Sequence, residues 1–189
     1  MKLYAQPFKV FFFLSLIVFA CALDSFPSPE EDLLRFPQCR HCRMQRSHYA
    51  QSRMLVGYSD GAEFGLCSIH CLAVDLVLNT DKTPKHMMAS DYVTRRLIDA
   101  ESAFWVLGGA KRGVMTQRAK WAFGSVENAE SFIRTHGGAK VSFEQALAAA
   151  FHDMYADSKI IRSKRKLKMM IDDFEKRAPA VPGTRAIEP

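Results

Sequence analysis

The chain has 189 residues, 48% hydrophobic and 24% charged. That balance excludes a disordered polymer and suits one ordinary domain, or two small units sharing a core. The formal charge of +6 is uneven: residues 1–22 carry +2, and the segment from Ser158 to Pro189 carries nine Lys/Arg against four Asp/Glu, leaving −1 for residues 23–157. The basicity belongs to a leader and a tail, so no nucleic acid partner is expected of the folded body.

Lys2 and Lys9 form a positive n-region, and Val10 to Ala20 is an apolar run broken only by Ser15. The run is too short to span a bilayer and reads as the h-region of a signal peptide over residues 1–22. Ala20-Cys21-Ala22 fits an A-x-A cleavage site. Val18-Phe19-Ala20-Cys21 is instead similar to a lipobox, which would make Cys21 a lipidated N-terminal residue. Both readings predict an extracytoplasmic protein, periplasmic or anchored on the periplasmic side of the membrane. Residues 23–38, with Pro27, Pro29, Pro37 and the acidic Glu30-Glu31-Asp32, read as a linker with one short helical turn.

The remaining pattern predicts an α+β fold with antiparallel sheets. Arg53–Tyr58 reads as a strand, Ser59-Asp60-Gly61 as a hairpin turn, and Ala62–Leu66 as the returning strand. Ser68 is a plausible cap for a helix to about Asn79, and Met87–Thr94 reads as a third strand. The order then recurs: strands at Ala103–Leu107 and Arg118–Phe123, a helix over Val126–His136 stopped by Gly137-Gly138, and a short strand at Ala139–Ser142. The spacing gives two consecutive ββαβ units, about residues 39–95 and 100–156. A helix over Phe143–Tyr155 follows. A second, basic amphipathic helix over Lys159–Arg177, suited to an anionic membrane surface, opens the helical or disordered tail of residues 157–189.

The chemistry lies in sulfur. Cys39-x2-Cys42 precedes the first hairpin, and Cys67-x3-Cys71 follows it at a helix start, where the N-terminus favours thiolates. Met44 lies two residues beyond Cys42, and Met115 lies in a glycine-rich loop, both odd places for packing methionines. Thiolates with thioethers suit Cu(I) best. Four thiols alone also suit a structural zinc tetrathiolate, and in an oxidising compartment they suit disulfides. His41 and His70 lie beside the cysteines, where each could complete coordination, although a lone histidine there more often serves as an exposed hydrogen-bond donor behind the ligands. A thiol oxidoreductase fits poorly, because Cys39-x2-Cys42 lies in a loop rather than opening a helix after a strand. No nucleophile elbow, zincin helix or P-loop is present, and no enzymatic activity is expected.

An ordered set of features between about residues 38 and 150 resembles the NosL family: Cys39-x2-Cys42-x-Met44, Asp91-Tyr92-Val93-Thr94, Ala103-Phe104-Trp105-Val106, Gly113-Val114-Met115, Ala129-x2-Phe132, Gly137-Gly138 and Phe143-x2-Ala146. The resemblance implies an extracytoplasmic copper chaperone of two ββαβ units, often lipid-anchored. It would deliver Cu(I) during assembly of nitrous oxide reductase through a membrane ABC transporter complex. Its ligands would fall on Cys39, Cys42, Met44 and Met115. Arg43 stands where the family commonly has glycine. Cys67 and Cys71 are additions, similar to the treble-clef-like cysteine pattern of heavy-metal-binding domains.

Overall fold

A computed structural model describes residues 29–177. The signal segment, Cys21 and the last twelve residues of the tail lie outside the described residues.

The first unit is built on strand β1 (Met54–Tyr58), buried along its whole length. β2 (Glu63–Leu66) and β3 (Pro84–Ser90) flank it antiparallel, and β4 (Leu97–Asp99) adds to β3, giving the order β2-β1-β3-β4. The β1–β2 turn closes as its sequence predicts. Gly61 takes φ +86°, and Asp60 accepts the Ala62 N–H at 2.9 Å. Helix α2 (Ile69–Leu78) starts after extended Ser68, whose hydroxyl makes no capping bond.

The second unit repeats this order. β5 (Phe104–Leu107) lies between β6 (Lys120–Phe123) and β7 (Ala139–Val141), all antiparallel. Helix α3 (Val126–His136) connects β6 to β7. The Ser125 hydroxyl accepts the Asn128 N–H at its start, and Gly137 and Gly138 end it with φ of +71° and +102°. The architecture is the two ββαβ units expected.

Three features differ from the sequence reading. β3 ends at Ser90, because Asp91 turns the chain instead. Its carboxylate accepts the Val93 and Thr94 N–H groups and the Thr94 hydroxyl. Asp91 also accepts the Gly124 N–H across the unit boundary, and Tyr92 N–H donates to Ala122 O, so this turn joins the two sheets. β4, three residues long, is too short for a periodic signal. The two expected C-terminal helices form one, α4 (Phe143–Arg177), because no proline or glycine interrupts the join.

Alternation along the two central strands distributes the core. Met54, Val56 and Tyr58 of β1 face the main cluster, whereas Leu55 turns to a small cluster with Met88 and Leu97. Trp105 of β5 joins the main cluster with Phe143, Ala146, Leu147 and Ala150 of α4, while Val106 faces Trp121, Phe123 and Phe132. Both units and the base of α4 therefore share one core, and Cys39, Cys67 and Cys71 lie in it.

The stretch read as a linker holds α1 (Pro29–Arg35), and Asp32 on it is fully buried. Asp32 accepts from two buried guanidiniums, Arg46 Nη2 at 2.7 Å and Arg53 Nη2 at 3.0 Å. The remaining donors of Arg46 reach the Asp32, Phe36, Met54 and Leu66 carbonyls. Arg53 reaches the Ala50 and Arg95 carbonyls and the Ser90 hydroxyl. Such saturation is what allows two cations and one anion to leave water. The network fixes the segment before Cys39 to the first sheet.

Candidate metal centre

The loop carrying the first cysteine pair is a closed knuckle. Gln38 and Gln45 form an antiparallel bridge, Cys39 N–H donates to Met44 O, and Arg43 N–H donates back to Cys39 O. Arg40 N–H donates to Gly65 O and so fastens the knuckle to β2. Closing so tight a loop requires a left-handed residue, which is Arg43 at φ +65°. The position where glycine is common in the resembling family is therefore one where the backbone favours glycine.

The second pair follows from the strand-to-helix junction. Cys67 directly follows β2 and Cys71 lies in the first turn of α2, four residues on, so their sulfurs meet at 3.6 Å. Cys42 Sγ approaches Cys67 Sγ at 3.4 Å. All four sulfurs, from Cys39, Cys42, Cys67 and Cys71, lie within 4.8 Å of one another. None of the four is in a disulfide. Cys39, Cys67 and Cys71 are buried, and Cys42 is half-exposed. Soft ligands at this spacing suit one thiophilic ion.

Four thiols packed this closely cannot ionise independently. Hydrogen bonds from Cys42, Cys67 and Cys71 hold the Cys39 thiol far below its ordinary range. Cys39 pushes the Cys42 thiol up, but bonds from Cys67 and Cys71 outweigh this and bring it down. Cys67 and Cys71 are pushed far up, first by their hydrogen bonds to Cys39 and Cys42 and then by burial. The four thiols thus act on one another, with Cys39 and Cys42 shifted down and Cys67 and Cys71 shifted up.

The methionines border the same place. Met44 and Met115 are half-buried, pack against the main core cluster, and line with Cys42 a cleft of about 400 Å³ between the 112–117 loop and α4. Met115 takes φ +60°, a left-handed conformation uncommon for a residue with a side chain. A smaller opening of about 260 Å³ reaches Cys42 and Cys71 past His41, His70 and Met115.

Three acidic residues that sequence reasoning missed support this centre. Asp75 on α2 is fully buried and accepts from His41 Nε2 and from the Tyr58 hydroxyl, both at 2.6 Å. It ties the knuckle to the helix that carries Cys71. Burial, then the bond to Asp75, push the Tyr58 hydroxyl well above its ordinary range. Asp32 anchors the segment before Cys39. Asp157 on α4 accepts the Gln117 N–H at 3.1 Å beside the Met115 loop, and its other oxygen lies 3.7 Å from His70 Nδ1. Burial pushes the His70 imidazole down, so it resists protonation there. No motif signals these acids. An Asp at one helical turn from Cys71 is the faintest trace that sequence offers of Asp75.

A curated relative, the HTH-type transcriptional repressor CutR of Bacillus subtilis (strain 168), is 28% identical over 130 residues, covering 67% of this chain. The chain spans 65% of that relative's length. The crystal structure of the copper chaperone NosL from Shewanella denitrificans shares 21% identity with a TM-score of 0.47, over 57% of this chain and 87% of that one. The NosL family model matches residues 32–151, from the buried Asp32 through both cysteine pairs to the base of α4. With well over half of its length matched to that model, the chain belongs to the NosL family.

Proposed function

We propose that this protein is an extracytoplasmic Cu(I) metallochaperone. It binds the ion in a sulfur-rich site and hands it on, without catalytic turnover, during assembly of a copper enzyme such as nitrous oxide reductase. The observation that carries the reading is the convergence of four thiols outside any disulfide within 4.8 Å, with Met44 and Met115 bordering Cys42 in one cleft. Thioethers add nothing to a disulfide and little to a zinc site, and they suit Cu(I). Family membership and the copper chaperone named among the similar structures support the same reading.

A carrier needs a site that a recipient can enter. Half-exposed Cys42 at the cleft provides one, so an incoming thiol, thioether or imidazole can join the copper before a protein sulfur leaves. The recipient is the copper enzyme itself or its membrane ABC transporter assembly complex. No helix among the described residues is long and apolar enough to cross a membrane. Attachment would come from lipidation at Cys21 or from the outer part of α4, where Leu167, Met170 and Phe174 are exposed among Lys164, Arg165, Lys166 and Lys168. The test is transfer. Cu(I)-loaded protein should restore copper to copper-depleted nitrous oxide reductase faster than chelator-buffered Cu(I) at the same free concentration, and equal rates would contradict a chaperone role.

One observation favours a second reading. Three of the four thiols are fully buried, which suits a closed zinc tetrathiolate whose role is structural. In that case the methionines would be dispensable, and chelation would unfold the protein.

A further inference from the structure

The cleft beside Cys42 has a lining of two chemical kinds. Cys42, Met44 and Met115 are half-buried in it. Arg112 from the loop and Lys164 and Arg165 from α4 line it as well, all exposed. None of the three is in an ion pair among the described residues. By contrast, Arg118 and Lys120 are partnered by Asp153, and Arg46 and Arg53 by Asp32. Asp157 is the one acid lining the cleft, and it is 3% exposed, covered by the Gln117 N–H and His70. Arg162 and Arg165 also border the neighbouring opening to Cys71, so both openings described here carry exposed basic residues. A volume of about 400 Å³ falls in the range of small-ligand clefts.

We propose that this cleft is a docking subsite for a low-molecular-weight, carboxylate-bearing thiol that arrives as its Cu(I) complex. The inference rests on the Cu(I) reading above and deepens it by naming the form in which copper is received. Arg112, Lys164 and Arg165 hold the ligand's carboxylates, which brings its copper to Cys42. Exchange then proceeds by association. The Cys42 sulfur bonds to the bound Cu(I), a second cysteine sulfur follows, and the two carrier thiolates depart. Copper stays Cu(I) throughout. Each protein thiol that becomes a ligand gives up one proton, and each departing thiolate takes one up as free thiol.

The experiment uses the full chain and its R112Q/K164Q/R165Q variant, mixed anaerobically with Cu(I)–glutathione or with Cu(I) complexed by uncharged dithiothreitol. Metal uptake is followed by thiolate-to-copper absorbance, and equilibrium affinity by competition with a chromophoric Cu(I) chelator. All three side chains are exposed, so the variant should fold, which circular dichroism checks. The account predicts that uptake from the glutathione complex slows at least tenfold and loses its salt dependence, that uptake from the dithiothreitol complex is unchanged, and that equilibrium affinity is unchanged. Equal slowing with both carriers, or no slowing with glutathione, overturns the subsite while leaving the Cu(I) reading standing. Failure of the wild-type protein to bind Cu(I) from either carrier or from the chelator would overturn both.

Discussion

Cys42 Sγ and Cys67 Sγ lie 3.4 Å apart, although 25 residues separate them in the chain. The first hairpin makes this approach possible, because it returns the chain to the knuckle, where Arg40 N–H meets Gly65 O. Cys42 is also the one cysteine of the four at the cleft. Replacing Cys42 by Ser should therefore lower Cu(I) affinity at least tenfold, and adding Met115→Leu should lower it further. Fold and thermal stability should change little, since both side chains are half-buried. Competition against a chromophoric Cu(I) chelator measures the effect. Unchanged affinity in the double variant would remove these sulfurs from the site.

The knuckle carries a backbone cost at Arg43, a residue with φ +65° whose side chain is exposed. The left-handed region costs an ordinary residue about 1–2 kcal/mol. Glycine relieves that cost but gains unfolded-state entropy, so Arg43→Gly should stabilise the protein by about 0.5–1 kcal/mol. Urea denaturation measures it, and a destabilised variant would mean that the Arg43 side chain contributes more than its conformation costs.

Asp32 is shared by two fully buried guanidiniums. Asp32→Ala leaves both without their shared carboxylate and should cost about 3–5 kcal/mol. Chemical denaturation and amide exchange around the knuckle would report it. A loss under about 1 kcal/mol would contradict the anchoring role given to α1.

Asp153 supplies a pH dependence. Burial pushes its carboxyl up, but hydrogen bonds from Arg118 and Lys120 outweigh this and hold it down to about 2, against an ordinary 3.8. A depressed folded-state value means stability that is present in full above the unfolded value and is lost as pH falls through the folded one. Asp153→Asn should lose up to about 2 kcal/mol near neutrality. It should also flatten the acid limb of the stability curve between about pH 4 and 2. An acid limb identical to wild type would assign that dependence to other carboxylates.

The repeated ββαβ order was legible because each unit carries strong local signals. Asp60-Gly61 marks a hairpin, Ser68 a helix start and Gly137-Gly138 a helix end. The sulfur set was legible because cysteines and misplaced methionines stand out by chemistry. The structure then placed Cys39, Cys42, Cys67 and Cys71 together and set Met44 and Met115 at the same cleft. What was not legible depends on distance in the sequence. Asp32 reads as part of a polar linker until Arg46 and Arg53 fold over it. Asp75 looks like the polar side of α2, and Asp157 like the start of a basic tail. Each is read correctly only once its partner, 14 to 40 residues away, is known. The continuity of α4 was missed because its apolar face gives way to a charged one at Asp157 without any helix-stopping residue.

The most direct test of the central claim is an anaerobic Cu(I) titration of the reduced protein against a chromophoric Cu(I) chelator, with zinc titrated in parallel. The account predicts tight Cu(I) binding that persists under zinc challenge and weakens when Met115 is replaced by Leu. A preference for zinc, with metal removal unfolding the protein and no effect of Met115→Leu, would contradict it.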